Sequence, residues 1–268
     1  MKPVLSIIIV NYNTANILRQ CLKSLEQESK RAKEQEIIVV DNGSTDNSVK
    51  MINDQWLMGN VKLIENQRNL GFAKAVNQGI KKSQGEFILL LNSDIVVKPK
   101  AIEKMIEFAQ KHSIVGVVGG RLLNPKGSIQ GSCYHLPTLS RIIKEFWFGQ
   151  KNFSVTQKYA PLGNKPIEVE AIVGAVFLIP RKVIEKVGFF DERFFMYFED
   201  LDYCRRVRNA SFKIYYLPQA EFIHKHGASG KEIPWQTQKW LRQSSKIYHG
   251  VFKYWLITFI IWLGQKFK

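Results

Sequence analysis

Ile37-Ile38-Val39-Val40-Asp41-Asn42-Gly43-Ser44 sets four consecutive β-branched residues directly before a carboxylate and a turn-forming cluster. An apolar run without polar alternation describes a strand buried on both faces, as in parallel sheets. A carboxylate at the carboxyl end of such a strand can accept hydrogen bonds from a ribose hydroxyl or a base N–H, and Gly43 lets the chain turn sharply beside it. A turn in which Asp41 and Asn42 bond their own backbone is the plainer reading of the same residues.

The same grammar repeats outward from this stretch. Upstream, a strand over Val4–Val10 ends at Asn11-Tyr12-Asn13, and a helix starting near Thr14 carries Ile17, Leu18, Cys21, Leu22 and Leu25 at helical spacing. Downstream, Asp46 suits the cap of a short helix, Val61–Ile64 reads as a third strand, and a helix from Phe72 places Phe72, Ala75, Val76, Gly79 and Ile80 on one face. Phe87–Leu91 is a fourth buried strand, after which Pro99 opens a helix bearing Ile102, Met105, Ile106 and Ala109. Continuous apolar strands between amphipathic helices predict an α/β fold, a Rossmann-like and mostly parallel sheet flanked by helices, with ligands at the carboxyl ends of the strands. Beyond residue 115 the alternation weakens. Val115–Gly119 and Val169–Ile179 read as strands around a poorly patterned aromatic and basic stretch from Ser128 to Lys165, then a helix begins near Glu199 and strands follow at Lys213–Leu217 and Ala220–His224.

Four constellations carry chemistry. Asn69-Leu70-Gly71-Phe72-Ala73 puts a glycine and backbone N–H groups at a helix start, which favours an anion such as diphosphate, although a simple helix cap explains it equally. Asn92-Ser93-Asp94 follows a buried strand, and on an extended segment residues i and i+2 point the same way, so both could approach a hard divalent ion. Asn in the first position makes Asp94 the more direct ligand. Glu199-Asp200-Leu201-Asp202 sits behind a dense aromatic run from Phe189 to Phe198, an apolar surround that raises a carboxylate pKa and improves it as a base. His224-Lys225-His226-Gly227 ends a strand, and a strand-end histidine in an acidic site can complete a metal shell.

In this order the motifs resemble glycosyltransferase family 2 with a GT-A fold, and within it the rhamnosyltransferase-like members, from Leu5 to about Ser229. The stretches that carry the resemblance are 39–46, 69–73, 90–94, Gly174-Ala175, 190–195, 199–202 and His224. The resemblance implies a GT-A domain over 1–226, with a nucleotide-sugar half over about 1–97 and an acceptor half over 98–226, and an extension over 227–268. It implies that Asn11, Asp41, Asn69, Gly71, Asn92 and Ser93 meet the nucleotide-sugar, that Gly174, Ala175 and Glu199 meet the acceptor, and that Asp94 and His224 hold Mg²⁺ or Mn²⁺. Asp200 matches the family's catalytic base in an inverting single displacement. The donor it favours is dTDP-L-rhamnose, with UDP-hexoses as the alternative, and the acceptor a lipid-linked glycan of envelope polysaccharide synthesis.

Charge and tail chemistry narrow the partners. Of the 268 residues, 39 are Lys or Arg and 23 Asp or Glu, a formal net charge of +16. Nucleic acid would account for that charge only with basic residues on one recognition element, whereas here they are dispersed or gathered in the tail. Near the C-terminus, Lys239, Arg242, Lys246 and Lys253 lead into the aromatic run Tyr254–Leu263, and Lys266 and Lys268 follow it. A run this short falls below the roughly 20 apolar residues of a spanning helix. Tryptophans at both ends with lysines outside suit a basic amphipathic helix at an anionic membrane surface, and a C-terminal helix docked on the core is the competing reading. Three widely spaced cysteines make no disulfide framework, and no secretory signal is expected at Met1-Lys2-Pro3, so the expected place is the cytoplasmic face of the cell membrane. A module that keeps the fold without activity is the rival that Asn92 favours.

Overall fold

The computed structural model describes residues 3–28, 35–56, 60–150, 157–225 and 234–266. The first third alternates as β1 (Leu5–Asn11), α1 (Ala15–Glu28), β2 (Gln35–Asp41), α2 (Ser48–Gln55), β3 (Val61–Glu65), α3 (Phe72–Lys82) and β4 (Phe87–Leu91). There follow β5 (Ile95–Val97), α4 (Ala101–Lys111), β6 (Val115–Leu123), β7 (Ile129–Gln130), β8 (Cys133–Tyr134), α5 (Leu139–Phe148), β9 (Ile167–Val169), β10 (Ala171–Ile172) and β11 (Val176–Pro180). The chain ends with α6 (Arg181–Val187), α7 (Glu199–Asn209), β12 (Lys213–His224), α8 (Pro234–His249) and α9 (Val251–Lys266).

A mixed sheet in the order β3-β2-β1-β4-β11-β6-β12-β5 forms the centre, with β7 added to β6 and β9 to β12. The first four strands are parallel, β6 and β12 are parallel to each other, and β11 runs antiparallel between β4 and β6. Alternation along β1 shows how the core is divided. Ile7 and Ile9 pack with α1, α2 and α4 on one face, and Ile8 packs with α3, α6 and α7 on the other. Because helices cover both faces, the central strands need no polar face, which is why they read as unbroken apolar runs. The register sets Asn11 opposite Asp41 and Asp41 opposite Glu65, so the strand-end polar residues share one rim.

Several expectations are corrected. The stretch from Ser128 to Lys165 holds β7, β8 and α5 among its described residues, and Val169–Ile179 is divided among three strands with different partners. The two strands expected between Lys213 and His224 are one, with a register shift between Leu217 and Glu221 that accommodates Pro218, a residue with no N–H to give the ladder. Residues 92–94 turn instead of running extended, with Ile95 N–H donating to Asn92 O at 3.2 Å, so the i, i+2 argument for Asn92 and Asp94 does not hold. The short strand β5, which the sequence reading omitted, follows at once. His226, Gly227 and the boundary at 226/227 lie outside the described residues.

No single helix is long and apolar enough to cross a membrane among the described residues, but α8 and α9, bent by 116°, meet that test as a pair. α9 packs on α5, where Trp147 Nε1 donates to Ile260 O at 2.9 Å and Gly264 allows close approach of the indole. It still exposes Phe252, Trp255, Phe259 and Trp262.

Candidate active site

The strand-end rim around Asp41 is a hydrogen-bond network. Asp41 is 1% exposed. Its Oδ1 accepts from Asn11 Nδ2 at 2.8 Å and Ser44 Oγ at 2.6 Å, and its Oδ2 accepts from Ser44 N–H at 2.8 Å. Thr14 Oγ1 donates to Asn11 Oδ1 at 2.6 Å and lies 3.1 Å from Ser93 Oγ, so the chain of contacts runs from Asp41 to the 92–94 turn. Gly43 has φ +80°, and a Cβ there would meet the Arg68 backbone at 2.6 Å, which is the physical reason for glycine.

Asn42 uses the full capacity of its amide: Oδ1 accepts from Asn66 Nδ2 and Leu70 N–H, while Nδ2 donates to Asn69 Oδ1 and Gly71 O. It thereby shapes the loop that precedes α3. Two amides expected to meet a ligand there are bonded within the protein, Gly71 N–H to Asn69 Oδ1 at 2.9 Å and Phe72 N–H to Phe195 O at 2.7 Å. Asn69 and Gly71 therefore act first as loop architecture.

The antiparallel pairing of β5 with β12 sets His224 opposite Ile95, next to Asp94, and Lys225 N–H donates to Asp94 O at 3.0 Å. His224 Nε2 lies 3.3 Å from Asp94 Oδ1, an oxygen buried without a hydrogen-bond partner. Gln130 donates through Nε2 to Asn124 Oδ1 and His224 O, which turns its Oε1 toward His224 Nδ1 at 2.9 Å. With Gln130 Oε1 accepting, Nδ1 is the nitrogen that donates, and Nε2 is the nitrogen that faces the carboxylate. A carboxylate oxygen and an imidazole nitrogen, both buried, with the ring held by Gln130, fit a divalent ion that takes its remaining ligands from water or phosphate oxygens. Among the described residues no cluster of three or more His, Cys, Asp or Glu side chains offers a fuller protein cage.

The acid pair at the start of α7 has the opposite character. Asp200 Oδ2 accepts from Gly174 N–H at 3.1 Å and Oδ1 from Leu201 N–H at 2.8 Å, yet burial outweighs these bonds and lifts its pKa. Burial, reinforced by the Asp200 charge, pushes Glu199 up to about 8, and its Oε2 is buried without a hydrogen-bond partner. The two residues before the pair, Tyr197 and Phe198, have φ of +70° and +68°, left-handed conformations that cost ~1–3 kcal/mol each outside glycine. Gly174 and Ala175 join the two centres: Gly174 N–H donates to Asp200, and Ala175 O accepts from Asn92 N–H at 3.0 Å. The Ala175 side chain packs into the core, 1% exposed, so only its backbone faces this junction.

Lys158, Tyr134 and Gln130 escaped the sequence reading. Lys158 lines a cavity with Leu122, Asn124, Gln130, Gly131, Val173 and His224. Its ammonium stands 5.7 Å from the Tyr134 ring centre, and its charge favours ionised Asp200. Burial raises the Tyr134 pKa, with Asp200, Glu199 and Tyr197 adding to it, so that phenol belongs to the same cluster. Their only signal was the aromatic and basic composition of the stretch from Ser128 to Lys165.

Comparison with known proteins accords with this geometry. The chain is 28% identical over 249 residues to the N-acetylglucosaminyl-diphospho-decaprenol L-rhamnosyltransferase of Mycobacterium tuberculosis, covering 87% of this chain and 80% of that protein. The solved mannosyltransferase PcManGT from Pyrobaculum calidifontis, in complex with GDP-Man and Mn²⁺, superposes with TM-score 0.62 at 14% identity, over 97% of this chain and 65% of its own. GalNAc-T7 with UDP, GalNAc and Mn²⁺ gives TM-score 0.64 at 17% identity, over 83% of this chain and 44% of its own. Both likenesses show the GT-A fold. The profile of glycosyl transferase family 2 matches residues 6–188, and with the ordered motifs now gathered on one rim, this chain is a glycosyltransferase belonging to that family.

Proposed function

We propose that the enzyme transfers L-rhamnose from dTDP-L-rhamnose, with inversion, to a hydroxyl of a lipid-linked glycan in envelope polysaccharide synthesis. The observation that carries the chemistry is Asp200, a single carboxylate held by two backbone N–H groups in a setting that raises its proton affinity. In the step proposed, Asp200 accepts the proton of the acceptor hydroxyl while that oxygen bonds to the anomeric carbon. The bond from that carbon to phosphate breaks on the opposite side, and its electron pair leaves with the nucleoside diphosphate. One base suffices because no glycosyl-enzyme intermediate forms.

Asp94 and His224 would hold Mg²⁺ or Mn²⁺, which when bound would offset the charge on the departing diphosphate. Asn11 and Asp41 shape the nucleotide side over residues 1–97, with Asn92 and Ser93 at its border. Residues 98–226 supply the acceptor side, with Gly174 holding the base and Glu199 available to an acceptor hydroxyl. Likeness to a rhamnosyltransferase whose name specifies a diphospho-polyprenol acceptor supports the donor and the lipid.

The extension from 227 onward adds an anionic membrane surface as partner, at the cytoplasmic face. Phe252, Trp255, Phe259 and Trp262 are exposed, and Lys246 and Lys266 lie over the Trp255 and Trp262 rings at 5.3 and 5.1 Å. Transfer assays over dTDP-L-rhamnose and a set of UDP-hexoses, with polyprenyl-diphosphate N-acetylglucosamine as acceptor and with or without Mn²⁺, test the reading. Turnover highest with a UDP-hexose would replace the donor. Full solubility without detergent, together with failure to sediment with phosphatidylglycerol vesicles, would overturn the membrane assignment.

A further inference from the structure

α8 grips the segment that leads into the acid pair. Ser244, 1% exposed, donates from Oγ to Met196 O at 2.7 Å. The Trp240 ring lies 4.9 Å from Phe195, and Tyr248, one turn beyond Ser244, lies 5.3 Å from Phe198. Tyr248 is itself seated by Arg205 of α7, whose guanidinium sits 4.2 Å over its ring and donates to its carbonyl at 3.3 Å. Four consecutive residues, 195 to 198, are thus touched from α8 at three points, and the last two carry the left-handed backbone. Such a conformation persists only where its surroundings over-determine it. The grip also reaches the donor side, because Phe195 O accepts from Phe72 N–H and a Cβ on Gly71 would meet that same oxygen at 2.8 Å.

We propose that α8 is part of the catalytic apparatus, with Ser244 and Trp240 as positioning residues that hold 195–198 in the conformation presenting Glu199 and Asp200. The inference rests on Asp200 being the base, and it gives the C-terminal helices a task separate from any membrane contact. The groups facing Asp200 are Glu199, Lys158, Tyr134, Cys204 and, from α8 itself, Tyr248. Loosening the segment wets the acid pair, so the acid limb of the pH–rate profile moves down toward the ordinary carboxylate range.

Ser244→Ala and Trp240→Ala in the full-length protein test this, with Trp240→Phe as the variant that keeps the ring contact. Both alanine variants are expected to lose five- to fifty-fold in kcat, to keep nucleotide affinity within about twofold by titration, and to show the lowered acid limb, while Trp240→Phe stays near wild type. Wild-type kcat and an unmoved acid limb in Ser244→Ala and Trp240→Ala would overturn the proposal. So would losses that Trp240→Phe shares in full, or losses matched by proportionate unfolding at the assay temperature. Failure of the base assignment itself would show separately, as retained turnover in Asp200→Asn.

Discussion

The network around Asp41 and the acid pair of α7 handle buried polarity in opposite ways. Around Asp41 the bonding is saturated: Asp41 accepts three hydrogen bonds, and Asn42 makes the four that its amide allows. At the acid pair the bonding is incomplete, with Glu199 Oε2 partnerless and the preceding backbone left-handed at two residues. Saturated networks rigidify, because each polar group is worth most where its partners are fixed. An under-bonded acid stores proton affinity, because burial without compensation disfavours its charged form. The first region presents a shape, and the second holds the acid that the proposed proton transfer needs.

Mutations on each side test that contrast. The largest effect is expected at Asp200→Asn, which keeps the shape and removes the proton acceptor. Transfer should fall by roughly 10²–10⁴-fold with nucleotide binding intact by calorimetry, and unchanged turnover would remove Asp200 from its role. Next is Asn42→Ala, which strands Leu70 N–H and leaves Gly71 O with only its bond from Ala75 N–H. It should cost ~1–3 kcal/mol in urea denaturation, with any loss of activity appearing in the donor KM. A change confined to kcat would erase the distinction between the two regions.

The smallest effect is at Glu199→Gln, and its sign is definite. The folded pKa is raised to about 8, so the native state holds the proton more tightly, and stability declines as pH rises from the ordinary carboxylate value through that range. Glutamine carries no such charge. The variant should therefore match wild type near pH 4 and melt about 2–4 °C higher above pH 8 for each kcal/mol relieved. A melting temperature lowered at pH 8 would show that the ionised carboxylate is stabilising there.

Lys62 and Glu36 show why the surface adds little to this account, since their 2.7 Å pair involves a lysine side chain 56% exposed and screened by solvent. The consequential electrostatics are buried.

By itself the sequence determined the alternating strands and helices through β4, the carboxylates at their ends and the family. Those signals are local, because a strand covered on both faces must be apolar throughout and polar residues can begin only where it ends. Asp41, Asp94 and His224 were legible for that reason, and Asp200 as an acid at a helix start behind an aromatic run. Only the tertiary structure decided that β5 carries Asp94 to His224, that Gln130 orients the histidine, and that Lys158 and Tyr134 stand by the acid pair. It also decided that α8 reaches back to the segment before Glu199. These contacts join residues far apart in the chain, Met196 with Ser244 across 48 positions and Asp94 with His224 across 130, with no periodicity to announce them, and they exist only once the sheet has formed around β11.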